Sequence, residues 1–448
     1  MDILKFKEQV FVEGEKLGFS ALEVYYEKSD SFSCNIYKGE IDKYESSTVN
    51  GVSVRGFYKG KMGYAYTEKL DEESITFLLT NAKENALLIE EEGEKLFTEK
   101  ATYMEKDFYS PAIEDVTTEE KISFLKEVEK KILAYDKRVV QANHVSLRDE
   151  ISEKALFHHD GLALQDRNNF LYVMFSVMVK DGEEVKSGFH FKVTKDFHTL
   201  NSDELAKETV EKALGFLGGK TYPNKNYPVI LKNSAAAQLL ATFTSAFSAD
   251  AVQKGQSRLK DKIGEQIAAS CVTLVDNPFL EDGMGSGTFD SEGVPTKKHA
   301  IVENGQLKTY FHNLKTAEKD GVQSTGHGYK PSYKGTIGVS PSNFFVEKSD
   351  ESYESLYSEL EEGVIITDLA GLHSGANQIS GDFSLAAEGY FVKEGKIVGP
   401  TNQMTVAGNF FDLLKDVEKV GRDLEFSPMG GYIGSPSLKI KSLAVTVD

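Results

Sequence analysis

Apolar residues recur at helical spacing at Ile3, Phe6, Val10 and Leu17, and Gly18 stands where the predicted helix must stop. From Ala21 to Tyr66 the pattern becomes the alternation of strands, predicted around Glu23–Tyr26, Phe32–Tyr37, Asp42–Ser46, Val52–Tyr58 and Met62–Thr67. Lys38-Gly39, Asn50-Gly51 and Lys59-Gly60 read as turns between them, since these residue types tolerate positive φ. Ile75, Leu78, Leu79, Ala82, Ala86 and Ile89 then form one apolar stripe on a helix that Asp71 can cap. These elements make a first α+β unit over residues 1–96.

Residues 97–116 carry no periodicity and contain Pro111, so they read as a connector. Thr117-x-x-Glu120 is a capping box for a helix with Ile122, Leu125, Val128 and Ile132 on its apolar side. Strands follow from Val139 to Phe197 with Asp160-Gly161 and Asp181-Gly182 as hairpin turns, then a helix carrying Leu205, Thr209, Val210, Ala213, Leu214 and Leu217. That second α+β unit covers 113–219, and the Pro- and Asn-rich stretch Thr221–Pro228 marks the main boundary. Residues 228–448 read as strand-rich. Val229–Leu231 is a strand, and Ser234 is expected to cap a helix with Leu239, Leu240, Phe243 and Phe247 inward. Further strands are predicted at Cys271–Val275, around Asn304-Gly305, at Gly335–Val339, Val364–Thr367 and in the closing LKIKSLAVTV, with helices at Ser352–Leu360 and Asn409–Val420. The expected fold is α+β: a two-part N-terminal region of meander sheets and helices, followed by a mixed, curved C-terminal sheet.

The chain leads up to Asp368–Leu414. Gly371, His373, Ser374, Gly375, Asn377, Ser380, Gly381 and Asp382 are too polar and Gly-rich for a helix or strand, so an ordered loop is expected. Phe383, Leu385, Ala387, Gly389 and Phe391 then alternate along a strand, and Lys393-Glu394-Gly395-Lys396 turns it into a second one through Ile397 and Val398. The order GLHSGANQISGDFSLAAEG, hairpin, Pro400, TVAGNFFDLL resembles the C-terminal signature of the TldD/TldE (PmbA) family, and specifically its TldE/PmbA branch. That branch is linked to maturation of peptide antibiotics and is also called a modulator of DNA gyrase.

A formal charge of -19 repels phosphate backbones, which disfavours direct binding of nucleic acid. No apolar run reaches the ~20 residues needed to cross a bilayer, and the first residues lack a signal-peptide pattern, so a cytoplasmic protein is expected. Cys34 and Cys271 stand far apart and read as buried small hydrophobes. The run Glu90-Glu91-Glu92-Gly93-Glu94 reads as a solvated helix end.

The resemblance implies a zinc peptidase in the TldD branch, whose His-Glu-x-x-x-His helix sets two imidazoles on one face, with a late thiolate as a further ligand. The corresponding helix here, Ser234–Asp250, has no His, Glu or Cys, and no Cys follows Cys271. No metal is therefore expected in this chain, and zinc is expected in the partner subunit. His158 and His159 would point to opposite sides of a strand, whereas His299, His312 and His327 read as surface or hydrogen-bonded histidines whose convergence is left open.

His373, Ser374, Asn377, Ser380 and Asp382 form the candidate substrate- or partner-contacting loop. They supply nucleophile, base and carboxylate types without a nucleophile elbow, and the bland alternative is that Asn377, Ser380 and Asp382 bind the loop's own amides. Gly283–Pro295 fails both phosphate-loop fingerprints and reads as a flexible loop at the mouth of a groove. Gly326–Gly335, with Tyr329, Lys330, Tyr333 and Lys334, reads as an exposed basic turn or a peptide contact.

The resemblance thus implies a TldE/PmbA-like subunit of a cytosolic TldD/TldE metalloprotease acting on peptides or unfolded segments, with a TldD-type zinc subunit as partner and a homodimer in isolation. Phe410 and Phe411 are expected on the apolar face that meets the partner. Two other readings stand beside it: a stand-alone binding or assembly protein, and an independent hydrolase using His373 and Asp382.

Overall fold

The computed structural model describes residues 1–88, 94–427 and 432–447, so Ile89, most of the acidic run and Pro428–Gly431 lie outside the described residues. Helix α1 (Ile3–Lys16) starts on Asp2, whose carboxylate accepts from the Lys5 amide, and ends where Gly18 takes φ 91°. Three strands follow: β1 (Phe19–Tyr37), β2 (Glu40–Tyr58) and β3 (Lys61–Thr67). The five short strands expected here are thus three long ones, and Asn50-Gly51 is no turn, because Asn50 pairs with Lys28 and Gly51 with Glu27 inside the β1–β2 ladder. Gly51 is required for another reason: a Cβ there would collide with the ring of Tyr333, packed flat on the sheet from a distant segment.

Helix α2 (Glu72–Leu88) is capped by Asp71 through the Ser74 amide, and helix α3 (Thr118–Tyr135) has both bonds of the Thr117–Glu120 capping box. Strands β4 (Val139–His158), β5 (Ala163–Asp181) and β6 (Glu184–Thr194) precede helix α4 (Ser202–Gly215). All six strands join in one sheet of order β3-β2-β1-β4-β5-β6, with every neighbouring pair antiparallel. On one face α1 and α2 cover an apolar cluster around Phe6, Val24, Val54 and Leu79, and α3 and α4 cover another around Val128, Leu147, Phe175 and Val210.

The C-terminal half opens with β7 (Lys225–Leu231) and helix α5 (Asn233–Phe243). Ser234 does not cap α5: Lys232 holds that position, and the Ser234 hydroxyl donates to Thr367 O at 2.8 Å. Beyond Phe243 the chain tightens into a 3-10 turn, Thr244–Phe247, before the short helix Ala249–Gln253, so Ser234–Asp250 is not one helix. Five strands close a ring: 362–370 pairs with β7, β7 with 438–447, 438–447 with 404–409, 404–409 with 382–393, and 382–393 again with 362–370. The 362–370/β7 pair is parallel and the others antiparallel, so the expected mixed, curved sheet bends until it closes.

Beside it lies a second sheet, with 274–276, 299–303, 343–346 and 432–435 among its strands. Strand starts at Cys271 and Gly335 give way to Leu274 and Gly338. The helix expected over Asn409–Val420 stops at Lys415, since Val417 and Val420 are drawn into a strand against Ile440 and Leu438. Phe410 and Phe411 are not on a partner face: they are 2% and 7% exposed, and Phe410 stacks on Phe243 with centroids 4.6 Å apart. Cys34 is buried as expected, but Cys271 is exposed.

The helix-free face of the six-stranded sheet receives two segments expected to be exposed loops. Residues 283–295 are almost wholly buried, with Asp290 and Glu292 at 0% and 2% exposure, and Tyr333 is buried too. Arg55 donates Nε and Nη2 to both oxygens of Glu23 at 2.8 Å, and Glu292 Oε1 stands 4.0 Å from its Nη1. The Lys330 ammonium donates to Ser53 Oγ at 3.0 Å and lies over the ring of Tyr25. Burial lowers it to about 7. Asp290 accepts from the amides of Glu292, Val294 and Gly328, which favour its charged form, so of this close acidic pair Glu292 holds the proton. Burial, with the Asp290 charge next, pushes the Glu292 carboxyl well above the usual range.

Two outcomes follow. Arg55→Met, which strands a buried Glu23 carboxylate, should cost roughly 3–5 kcal/mol in urea unfolding. A carboxyl raised in the folded state contributes stability that is complete below the ordinary value of 4.5 and is lost as pH rises through the folded value. Glu292→Gln removes that dependence, so the melting temperature of the variant relative to the parent should rise between about pH 5 and about pH 8. A constant difference across that range would show that Glu292 is ionised in the folded protein.

Candidate functional site

Helix α5 (NSAAAQLLATF) buries Ala235, Ala236, Leu239, Leu240 and Phe243 and leaves Ser234 and Gln238, one turn apart, on its half-buried side. That side faces strand 362–370. The Gln238 amide donates to Asp368 Oδ1 at 2.8 Å and its oxygen accepts from the Leu369 amide at 3.1 Å. An irregularity between Ile366 and Asp368 sets Asp368 directly across from Glu388 on the neighbouring strand.

These residues form one wall of a cleft of about 250 Å³ between the two halves of the protein, whose other wall is built by Phe189 and Phe191 of β6 with Lys212 and Phe216 at the end of α4. Lys232, Thr367 and Tyr390 line it too, as do Ser176, Ser187 and Gly188 of the sheet. Lys212 donates to Phe189 O at 3.1 Å, and burial of its ammonium lowers its pKa although the residue as a whole is exposed. Burial and the Asp368 charge raise the Glu388 carboxyl. Lys212, Lys232, Asp368 and Glu388 have no ion-pair partner within 4.0 Å among the described residues, so the cleft presents both signs of charge to whatever enters it.

The strand bearing Asp368 leads into the loop expected from sequence. Leu372–Gly375 is a single helical turn with His373 exposed, and Ser374 Oγ donates to Gly371 O at 3.3 Å. Asn377 Oδ1 accepts from the amides of Ile379 and Ser380, Ser380 Oγ donates to Asp382 Oδ2 at 2.8 Å, and Asn409 Nδ2 donates to Asp382 Oδ1 at 2.8 Å. The Asn409 and Ser380 bonds hold the Asp382 carboxyl below its usual range. The structure thus brings Asn377, Ser380 and Asp382 together in a self-bonded loop and leaves His373 outside that network. None of the five lines the cleft. Sequence reasoning missed Lys212, Lys232, Asp368 and Glu388 as a group; the polar side of the strand after Phe383 was the available signal.

The PmbA/TldA metallopeptidase family matches over most of the chain: domain 1 at residues 22–86, the central domain at 111–217 and the C-terminal domain at 224–447. The chain belongs to the PmbA/TldD metallopeptidase family. A Thermotoga maritima protein of the group called modulators of DNA gyrase has a similar structure, with TM-score 0.93 and 32% identity over 99% of this chain and 100% of that one. Thermococcus kodakarensis TldE shares the fold, with TM-score 0.91 at 23% identity over 98% and 100% of the two chains. The Escherichia coli O157:H7 metalloprotease PmbA is 25% identical over 90% of this chain and 88% of its own.

A family of metallopeptidases implies a metal, and the donors on α5 do not fit one. Ser234 and Gln238 are amide and hydroxyl groups already engaged with Thr367, Asp368 and Leu369. The histidines left open by sequence do gather, with the rings of His299 and His327 5.7 Å apart. The His327 nitrogens meet Thr325 Oγ1 at 2.8 Å and Asp276 Oδ2 at 3.1 Å, however, and no group of three His, Cys, Asp or Glu is placed to hold a metal among the described residues. His158 is buried and His159 exposed.

Gly381 takes φ 83° and a Cβ there would press on the Phe411 ring, while a Cβ on Gly375 would collide with Ser384 O. Replacing either with Val should cost roughly 1–3 kcal/mol. Unchanged melting of both variants would mean that the loop does not rest on these contacts.

Proposed function

We propose that this chain is a TldE-type, zinc-free subunit of a cytosolic metalloprotease of the PmbA/TldD family, working with a TldD-type chain that carries the zinc, on peptides or unfolded protein segments. The observation that carries this reading is the hydrogen bonding of α5: its half-buried side holds Ser234 and Gln238, tied to strand 362–370, in place of metal ligands. The cleft beside α5 supports a substrate-contacting role, since aromatic walls and opposed lysines and carboxylates suit a peptide's side chains and charged groups.

Peptidase activity should be absent from the isolated chain and from a zinc-depleted pair, and should appear when the chain is combined with a TldD-type subunit. Elemental analysis of the isolated chain after dialysis should find well under one zinc per molecule, because a closed site needs about four N, S or O ligands. About one zinc per chain would overturn the reading. Lack of co-elution with the TldD-type subunit, with no gain of activity on mixing, would leave a binding protein in its place.

A further inference from the structure

Two pairs of like charges line the cleft between the halves. Asp368 and Glu388 are direct partners on neighbouring antiparallel strands, an arrangement in which like charges destabilise a sheet. Lys212, near the end of α4, and Lys232, at the N-cap of α5, approach from opposite halves. Burial lowers the Lys212 ammonium, and the Lys232 charge adds to that lowering. Lys212 also feels the Asp368 charge, so both pairs belong to one space.

No contact within 4.0 Å joins these lysines to these carboxylates among the described residues. Glu425, the carboxylate that Lys212 feels most, also stands beyond that distance, and burial raises its own carboxyl. Asp368 Oδ1 accepts from the Gln238 and Leu369 amides, whereas the Glu388 carboxyl has no hydrogen bond among the described residues. Charges drawn partly out of water without a partner are costly. A ligand with one negative and one positive end would relieve both pairs at once.

The rest of the lining says what joins those ends. Phe189 and Phe191 have ring centroids 6.0 Å apart, and Phe216 stacks on Tyr390 at 5.8 Å, so the cleft has aromatic sides. Its volume of about 250 Å³ lies below the roughly 300–1,000 Å³ of pockets for drug-sized ligands, which selects a small occupant. Past Ser187, Asp368 and Glu388 it opens into a groove of about 450 Å³, a route of entry.

We propose that the cleft binds a free α-amino acid with an aromatic side chain. Its carboxylate meets Lys212 and Lys232, its ammonium meets Asp368 and Glu388, and its ring lies against Phe189 and Phe191. A residue in the middle of a peptide brings only neutral amides, and a peptide terminus answers just one of the two charge pairs. The inference takes the cleft from the function proposed above but neither the partner nor the zinc, so it is tested on the isolated chain without a peptidase assay. Absence of partner-dependent activity leaves it standing, and absence of amino-acid binding leaves that activity unjudged.

Calorimetric titration at about pH 7 should show L-phenylalanine binding at millimolar concentration or below. Phenethylamine, without the carboxylate, phenylpropionate, without the ammonium, and N-acetyl-L-phenylalaninamide, without either charge, should each bind at least roughly tenfold more weakly. Glu388→Gln should narrow the gap between L-phenylalanine and phenylpropionate and keep the gap to phenethylamine; Lys212→Met should do the reverse. A general loss of structure cannot produce that exchange. Without ligand, Glu388→Gln should melt at or above the parent, since it relieves the pair with Asp368. No binding of L-phenylalanine to the parent, or equal binding of the charged and neutral ligands, overturns the proposal without recourse to variants. Affinities unchanged in both variants would place the ligand elsewhere and overturn it too, as would tighter binding of the acetylated amide, which stands for a residue within a peptide.

Discussion

The Arg55–Glu23 pair is buried where the two halves of this protein meet. Both partners lie on the helix-free face of the six-stranded sheet, and both are almost fully buried because residues 283–295 and 326–335 of the C-terminal half cover them. A guanidinium so placed needs its carboxylate with near-ideal geometry, and the paired 2.8 Å bonds provide it. Lys330 on Ser53 and Tyr25, Thr288 on Asp166, and Lys154 on Phe289 O extend this polar seam along the sheet. The seam demands hydrogen-bonded partners at defined positions, which gives the docking an orientation that apolar contact alone would leave loose.

From that docking follows the cleft. With the sheet held on the C-terminal half, β6 and the end of α4 stand opposite α5 and the Asp368–Glu388 pair, at a distance that leaves room for a ligand. Neither half owns the site. The family relationship adds chemical meaning: where a metallopeptidase needs nitrogen, sulfur or carboxylate donors, α5 offers a hydroxyl and an amide that serve the fold.

Much of the local structure was legible in the sequence because local physics sets it. The Thr117–Glu120 capping box, the Asp71 cap, the turns at Lys38-Gly39, Lys59-Gly60 and Asp181-Gly182, and the alternation after Phe383 all appear as expected. These signals depend on residues within a turn or two of one another. The forty-residue stretch from Asp368 also carried the family, since it combines the loop and its supporting hairpin in one run.

The inferences that failed are ones that needed a distant neighbour. Asn50-Gly51 reads as a turn until Tyr333, some 280 positions later, is seen to need a residue without a Cβ beneath its ring. Gly283–Pro295 is polar and Gly-rich and reads as a solvated loop, yet its carboxyl groups are buried because the Gly328 and Leu314 amides, from other segments, donate to Asp290 and Glu292. Phe410 and Phe411 read as a sticky face because nothing local tells that Phe243 stacks on one of them. The sequence by itself determined most of the helices, the caps at Asp71 and Thr117, most of the turns and the family, because those follow from short-range geometry. Only the tertiary structure decided which glycine serves a turn and which a neighbour, which charges are buried, and where two surfaces form a cleft, because each depends on atoms brought together from far along the chain.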